Sequence, residues 1–140
     1  MIASTTLTGS NADIIRDALG SVVAQVDRCI VIDTGDRDKT LAVAREVAGD
    51  KLLVREFPWQ DDFAAARNFA LRAATEAGAK WAVTVDTDER LAFDPGVDLR
   101  QLLSRTRVSV LLVGQVDGTY AKERIIGLPT AMGWNGPTHE

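Results

Sequence analysis

The sequence has one cysteine, one histidine and no long apolar run, and each scarcity closes off a class of function. Cys29 alone forms neither an internal disulfide nor a cysteine metal cluster. It sits inside the apolar run Cys29-Ile30-Val31-Ile32, where a buried thiol acts as a small hydrophobe. With His139 as the sole histidine, a catalytic triad or a multi-histidine zinc site lacks material. No apolar stretch approaches the roughly 20 residues that a membrane-spanning helix needs, and the N-terminus has no basic region leading into an apolar one. Sixteen basic residues stand against twenty acidic ones, for a net charge of -4. They are scattered, so no basic stripe is ready to neutralise a phosphate backbone, which argues against nucleic acid as a partner. The expected setting is a reducing cytoplasm, with peripheral contact at the inner face of a membrane left open.

What is present is enough for one core. A chain of 140 residues with 46% hydrophobic content supports a single domain over residues 1–140 and is too short for two ordinary ones. Ile2 to Leu7 is a short β-compatible start. Asn11 and Asp13 then look like helix-start residues before apolar positions that recur with helical spacing from Ile14 to Val26. Cys29 to Ile32 reads as a buried strand delivering Asp33 to its carboxyl end, where Gly35 breaks the chain. A second helix over Thr40 to Ala48, a turn at Gly49-Asp50 and a strand from Leu52 to Phe57 complete a β-α-β-α-β unit. After the loop Pro58 to Asp62 comes an alanine-rich helix from Phe63 to about Ala77, stopped by Gly78. Trp81 to Val85 is the fourth strand and runs into Asp86. Beyond Pro95-Gly96 a short helix around Leu99 to Ser104 precedes Val108 to Val116, the turn signal Asp117-Gly118, and a further run through Ile126, which together read as an antiparallel pair.

This alternation predicts an α/β fold: an open, mostly parallel sheet flanked by helices, with an antiparallel strand pair at the C-terminal end. Ligands in such sheets bind beyond the carboxyl ends of the strands. Asp33 and Asp86 both fall at predicted carboxyl ends, so the fold brings them to one rim.

Asp86-Thr87-Asp88-Glu89 places three carboxylates within four residues directly after an apolar strand. Two carboxylates separated by one residue suit a hard divalent cation, Mg²⁺ or Mn²⁺, that bridges diphosphate oxygens and stabilises a leaving diphosphate. A solvated acidic turn is the alternative. In Asp33 to Thr40, Asp33 is placed to accept hydrogen bonds from a base or ribose, Gly35 permits a tight backbone path, and Asp38 suits the cap of the next helix. Arg67 and Asn68 interrupt an apolar helix face and need partners. Arg67 either pairs with Asp62 or Asp86 as scaffold or positions a nucleotide diphosphate. His139 is either ordinary surface or an extra ligand for Mn²⁺, and Glu140 beside it is a candidate base.

In order and spacing, Val26-Asp27, Asp33-Thr34-Gly35, Phe57-Pro58-Trp59, Asp62-Phe63, Ala66-Arg67-Asn68, Asp86-Thr87-Asp88-Glu89 and Gly136 to His139-Glu140 resemble the family 2 glycosyltransferases. The likeness is to the branch that includes lipopolysaccharide-core glucosyltransferases and peptide S-glycosyltransferases. The resemblance implies a GT-A (Rossmann-like) fold in which Asp33 contacts the nucleoside, Asp86 and Asp88 hold the sugar-nucleotide and metal, and Arg67 lies near the nucleotide. It also makes His139 a metal ligand and implies inverting transfer of a hexose from a UDP-sugar to a glycan, lipid-linked or peptide acceptor, with Glu140 as the acceptor base. Three stretches depart from that branch. Its Lys-Asn-Glu segment after the first strand is here Thr8 to Asp13, its Gly-Ser-Thr-Asp is Gly35-Asp36-Arg37-Asp38, and its arginine-phenylalanine-arginine is Arg124-Ile125-Ile126. Related domains continue beyond the position of Glu140, so a C-terminally shortened domain is expected, working in a homo-oligomer or with a partner domain. The alternative is a catalytically incomplete nucleotide-sugar-binding module. A nucleotidyltransferase ranks below both, because Thr8 to Asp13 has one glycine and no lysine or arginine with which to cradle phosphates.

Overall fold

The structure, a computed structural model, describes residues 1–36, 38–131 and 133–135. In chain order the elements are β1 (Ile2–Thr8), α1 (Ile15–Gly20), β2 (Arg28–Asp33), α2 (Thr40–Ala48), β3 (Leu52–Glu56), α3 (Phe63–Glu76), β4 (Trp81–Thr84), α4 (Leu99–Ser104), β5 (Val110–Gly114) and β6 (Ala121–Gly127). One six-stranded sheet has the order β3-β2-β1-β4-β6-β5. The first four of these strands run parallel, and β6 is antiparallel to both β4 and β5. The expected mostly parallel sheet with an antiparallel C-terminal pair is therefore what the chain forms.

Residues alternate across a pleated strand, and β2 shows it directly. Cys29 and Val31 join the side of the sheet covered by α1, α2 and α4, through Ile15, Leu19, Ala44 and Leu99. Ile30 and Ile32 join the opposite side, covered by Ala70, Leu71 and Ala74 of α3. A strand buried on both faces must be apolar throughout, which is why the run Cys29 to Ile32 reads so plainly in sequence. Burial pushes the Cys29 thiol up from its ordinary value, against weaker opposing effects of Ser4 and Lys51, so it stays a neutral core group.

The first helix departs from expectation. Apolar periodicity from Ile14 to Val26 predicts one helix, whereas the chain forms α1 and then a separate 3-10 turn at Val23–Gln25. Gly20 is a poor helix former. Ser21 then turns its hydroxyl back to the Ala18 carbonyl at 2.7 Å while accepting the Leu91 N–H at 3.0 Å. Val22 is still fully buried, so the periodicity reports burial correctly and helix continuity incorrectly. The strand expected over Val108 to Val116 is shorter, and a register irregularity lies between Leu111 and Leu112. Among the described residues no helix is long and apolar enough to cross a membrane.

Candidate functional site

Parallel pairing sets the rim. Thr8 of β1 lies opposite Asp33 of β2, and Thr5 lies opposite Thr84 of β4. Val85 N–H still bonds to Thr5 O at 3.0 Å, so the chain leaves the sheet at Asp86. Asp33 and Asp86 thus emerge beyond the carboxyl ends of the two strands that flank β1.

Asp86 is held by buried cations. Arg67, on α3 and only 8% exposed, donates Nη2–H to Asp86 Oδ2 at 3.2 Å, and its Nη1 faces Oδ1 as an ion-pair contact at 3.2 Å. Arg124, on β6 and 7% exposed, reaches Oδ2 at 3.5 Å and donates to Glu89 Oε2 at 2.8 Å. Glu89 Oε1 closes the loop by accepting the Asp86 N–H at 3.0 Å. Of the two partners open to Arg67 in sequence, the structure selects Asp86; Asp62 instead caps α3, accepting the Ala65 N–H at 3.0 Å. The fork of a guanidinium against a carboxylate fixes orientation as well as charge.

A returning segment covers Arg67 from above. Asn68 donates Nδ2–H to Trp134 O at 3.0 Å and accepts the Trp134 N–H at 2.9 Å, an amide-to-backbone pair like one rung of a sheet. The Trp134 ring then lies 5.7 Å from the Arg67 guanidinium carbon, within cation–π range. A Cβ at Gly133 would come within 2.9 Å of Asn68 Oδ1, so a side chain there would displace the Asn68 amide.

Asp88 has a different setting. It is exposed and has no hydrogen bond or ion pair among the described residues. It lines a cavity of about 340 Å³ between the loop after β4 and the β5–β6 hairpin, together with Glu89, Gln115, Tyr120, Lys122 and Arg124. Asp33 lies outside that cavity, on the other side of β1. Its Oδ1 accepts the Gly35 and Asp36 N–H groups at 2.9 and 2.7 Å, folding the loop tightly enough that Gly35 takes φ 135. The same loop is tied to the one after β1, through Asn11 N–H to Thr40 Oγ1 at 2.7 Å and Ala12 N–H to Asp38 Oδ2 at 3.3 Å. Capping of α2 is shared: Asp38 accepts from Thr40 N–H at 2.8 Å and Asp36 from Leu41 N–H at 3.3 Å. The hydroxyl of Thr40, then its N–H and that of Ala12, hold the Asp38 carboxyl below the usual carboxylate range. Trp59, 40% exposed, joins this side through its N–H to Thr34 O at 3.3 Å.

The described residues do not build a ready metal cage: no three His, Cys, Asp or Glu side chains among them converge for one. Asp86 faces two guanidiniums and Glu89 takes one, which leaves Asp88 as the uncommitted hard oxygen donor. A single carboxylate suits an ion that keeps waters and draws its other ligands from substrate phosphates, as Mg²⁺ commonly does. His139 and Glu140, expected as metal ligand and base, lie outside the described residues. Glu89 was read from sequence only as the third carboxylate of its acidic run and Arg124 only as the start of a departing family motif; Lys122 was not singled out, because one lysine on a strand carries no local signal of what the next strand brings beside it.

The chain matches the profile described as glycosyl transferase family 2 over residues 7–138. It is 46% identical over 94 residues to a TPR repeat-containing protein of Synechococcus elongatus, a match that covers 67% of this chain and 22% of that protein. In three dimensions it is similar to S. aureus TarS 1-349 in complex with UDP, with a TM-score of 0.67 and 21% identity over 94% of this chain and 38% of that one. It is also similar to HddC from Yersinia pseudotuberculosis, with a TM-score of 0.53 and 12% identity over 91% of this chain and 74% of that one. The chain therefore spans a minor part of the curated relative and of TarS, and its fold is that of the GT-A enzymes. With the family profile covering nearly all of its length, the chain belongs to glycosyl transferase family 2.

Proposed function

We propose that the chain is the donor-binding part of an inverting hexosyltransferase that takes a UDP-sugar and a divalent metal, Mg²⁺ or Mn²⁺. One observation carries this reading: the loop after β4 splits its acidic pair, with Asp86 fixed between Arg67 and Arg124 and Asp88 left uncommitted at the mouth of a cavity. Asp86 then orients the loop and Asp88 holds the ion. When bound, such an ion neutralises the charge that develops on the departing diphosphate. Asp33 and the Thr34–Gly35 turn lie one strand pair away, where a nucleoside attached to that diphosphate would rest, and Trp59 offers an aromatic surface beside them. The UDP complex of TarS, a protein of similar fold, supports uridine as the base. His139 would complete the metal shell and Glu140 would take the acceptor proton; the acceptor is a glycan, a lipid-linked sugar or a peptide.

Isothermal titration of the chain with UDP, GDP and CDP in the presence of Mn²⁺ tests this. Binding with UDP preferred is expected, and no binding of any of the three would sink it.

One observation favours a second reading, a module that binds the donor without transferring it. Among the described residues lining the cavity, every carboxylate except Asp88 is engaged by an arginine, so none is free to act as a base once Asp88 serves the metal. Transfer or hydrolysis of a nucleotide sugar that disappears in Asp88→Ala would exclude it.

A further inference from the structure

The cavity beside Asp88 holds a cation that its own network leaves without a hydrogen bond. Among the described residues three cations line it: Arg90, Lys122 and Arg124. Arg90 is taken by Asp17 at 2.7 Å, outside the cavity. Arg124 is taken by Glu89 at 2.8 Å and Asp86 at 3.5 Å. The Lys122 ammonium has no hydrogen-bond partner among the described residues. Its nearest anion is Glu89 Oε2 at 4.0 Å, an oxygen that Arg124 already occupies, and the other Glu89 oxygen is occupied by the Asp86 N–H.

Among the described residues the charges of the cluster balance, but two of them lack a short partner. Asp86 and Glu89 are balanced by the two buried guanidiniums of Arg67 and Arg124. What remains is Asp88 and Lys122, the first exposed and the second with a side chain only 28% exposed. An ammonium that gives up much of its water without a short acceptor is costly unless a ligand supplies one. Lys122 is also placed rather than loose. β6 holds its backbone opposite Val113, and its Nζ makes a cation–π contact with Tyr120, 5.4 Å from the ring centre, which supplies no hydrogen-bond acceptor. The hairpin holds the Tyr120 backbone in turn, because Gln115 N–H bonds to Tyr120 O at 2.8 Å and the turn between them is tied by Thr119 N–H to Asp117 Oδ1 at 3.0 Å. The cavity thus joins an aromatic surface, on which the C–H face of a pyranose packs, with a positioned three-donor cation.

Resting on the donor-site reading above, we propose that Lys122 and Tyr120 form a specificity subsite for an anionic sugar, with Lys122 pairing to a carboxylate or phosphate oxygen and Tyr120 supporting the ring. The oxyanion belongs either to the sugar of the donor or to the acceptor, and the chemistry at Lys122 is the same in both cases.

Titration calorimetry on the whole chain with Mn²⁺ separates these sources. One arm compares UDP-glucuronate with UDP-glucose; the other saturates the chain with UDP and compares glucose 6-phosphate with glucose. In one arm the anionic ligand is expected to bind about tenfold more tightly than its neutral counterpart, the effect of one charge-assisted hydrogen bond. Lys122→Met should bring that ratio to about one, and Lys122→Arg should restore most of it. Thermal melts confirm that both variants fold. The proposal is overturned if neither arm shows a preference, or if the preference survives Lys122→Met. Failure of UDP itself to bind would instead overturn the donor-site reading.

Discussion

The two acidic loops at the carboxyl rim are built on opposite plans. The loop that begins at Asp33 is held by its neighbours in sequence: Asp33 accepts from Gly35 and Asp36, and Asp38 from Thr40. The loop that begins at Asp86 is held from a distance, by Arg67 nineteen residues before it and Arg124 thirty-eight after it. Local acceptors shape a loop cheaply and leave it at the surface. Buried ion pairs position a carboxylate more firmly, but each cation becomes indispensable once its partner is desolvated. The difference predicts that stability is concentrated around Asp86 and binding sensitivity at the exposed acids.

The strongest way to break this comparison is Arg67→Met. It keeps the side-chain length and removes the charge, leaving Asp86 with Arg124 at 3.5 Å. A loss of about 3–5 kcal/mol is expected, the usual cost of removing one partner of a buried pair, and urea unfolding measures it. Arg124→Met should cost less, about 1.5–3 kcal/mol, because Glu89 is 22% exposed on its side chain and water partly replaces the lost donor. If both variants unfold at the wild-type urea midpoint, the Asp86 cluster is not the anchor described above.

Next in size is the Asp33 side. Asp33→Ala deletes an acceptor shared by two backbone N–H groups and should cost about 1–2 kcal/mol. Asp33→Asn keeps a side-chain oxygen for the same two donors and should cost less than about 0.5 kcal/mol. A loss from Asp33→Ala equal to that from Arg67→Met would erase the distinction between the two plans.

The same distinction explains what the sequence revealed. Strand β2 and helix α2 were legible because their signals are local: a β-branched apolar run, and an acidic residue at a helix start, Asp38, which accepts the Thr40 N–H at 2.8 Å. The Asp33 turn was legible for the same reason, through its Asp-Thr-Gly spelling. The break after α1 was not, because it depends on Leu91, seventy residues away, donating to Ser21. Arg67 announced itself as a charge among alanines, although its choice between Asp62 and Asp86 needed the sheet order. Arg124 and Lys122 were illegible as site residues. They reach the site only because β6 inserts between β4 and β5 with Ile125 opposite Val83, which sets the preceding residue, Arg124, beside the end of β4.

Asp88 is the sharpest contrast with Asp86, two positions earlier. Because Asp88 is exposed and unpartnered among the described residues, Asp88→Ala should leave stability within about 0.5 kcal/mol of wild type. In calorimetry, the Mn²⁺-dependent part of UDP affinity should disappear. Retention of that metal dependence would move the ion to another residue and remove the functional half of the comparison.

The smallest expected effect is an acid-limb effect confined to the Asp33 side. The Asp38 carboxyl is held below its ordinary range chiefly by the Thr40 hydroxyl, with help from the N–H groups of Thr40 and Ala12. A carboxylate depressed in the folded state contributes stability that is fully present above its unfolded pKa and is lost as the pH falls through the lower folded value. Asp38→Asn cannot ionise, so urea midpoints measured from about pH 5 downwards should fall less steeply for this variant than for wild type. Because Asp38 also ties Ala12 to the start of α2, the wild-type change should be accompanied by faster amide exchange at Ala12 relative to the variant. Residues around Trp134, clipped to Asn68 on the far side of the rim, should show no such difference. Equal acid slopes in the two proteins would mean that the local acceptors on the Asp33 side hold the loop without help from their charge.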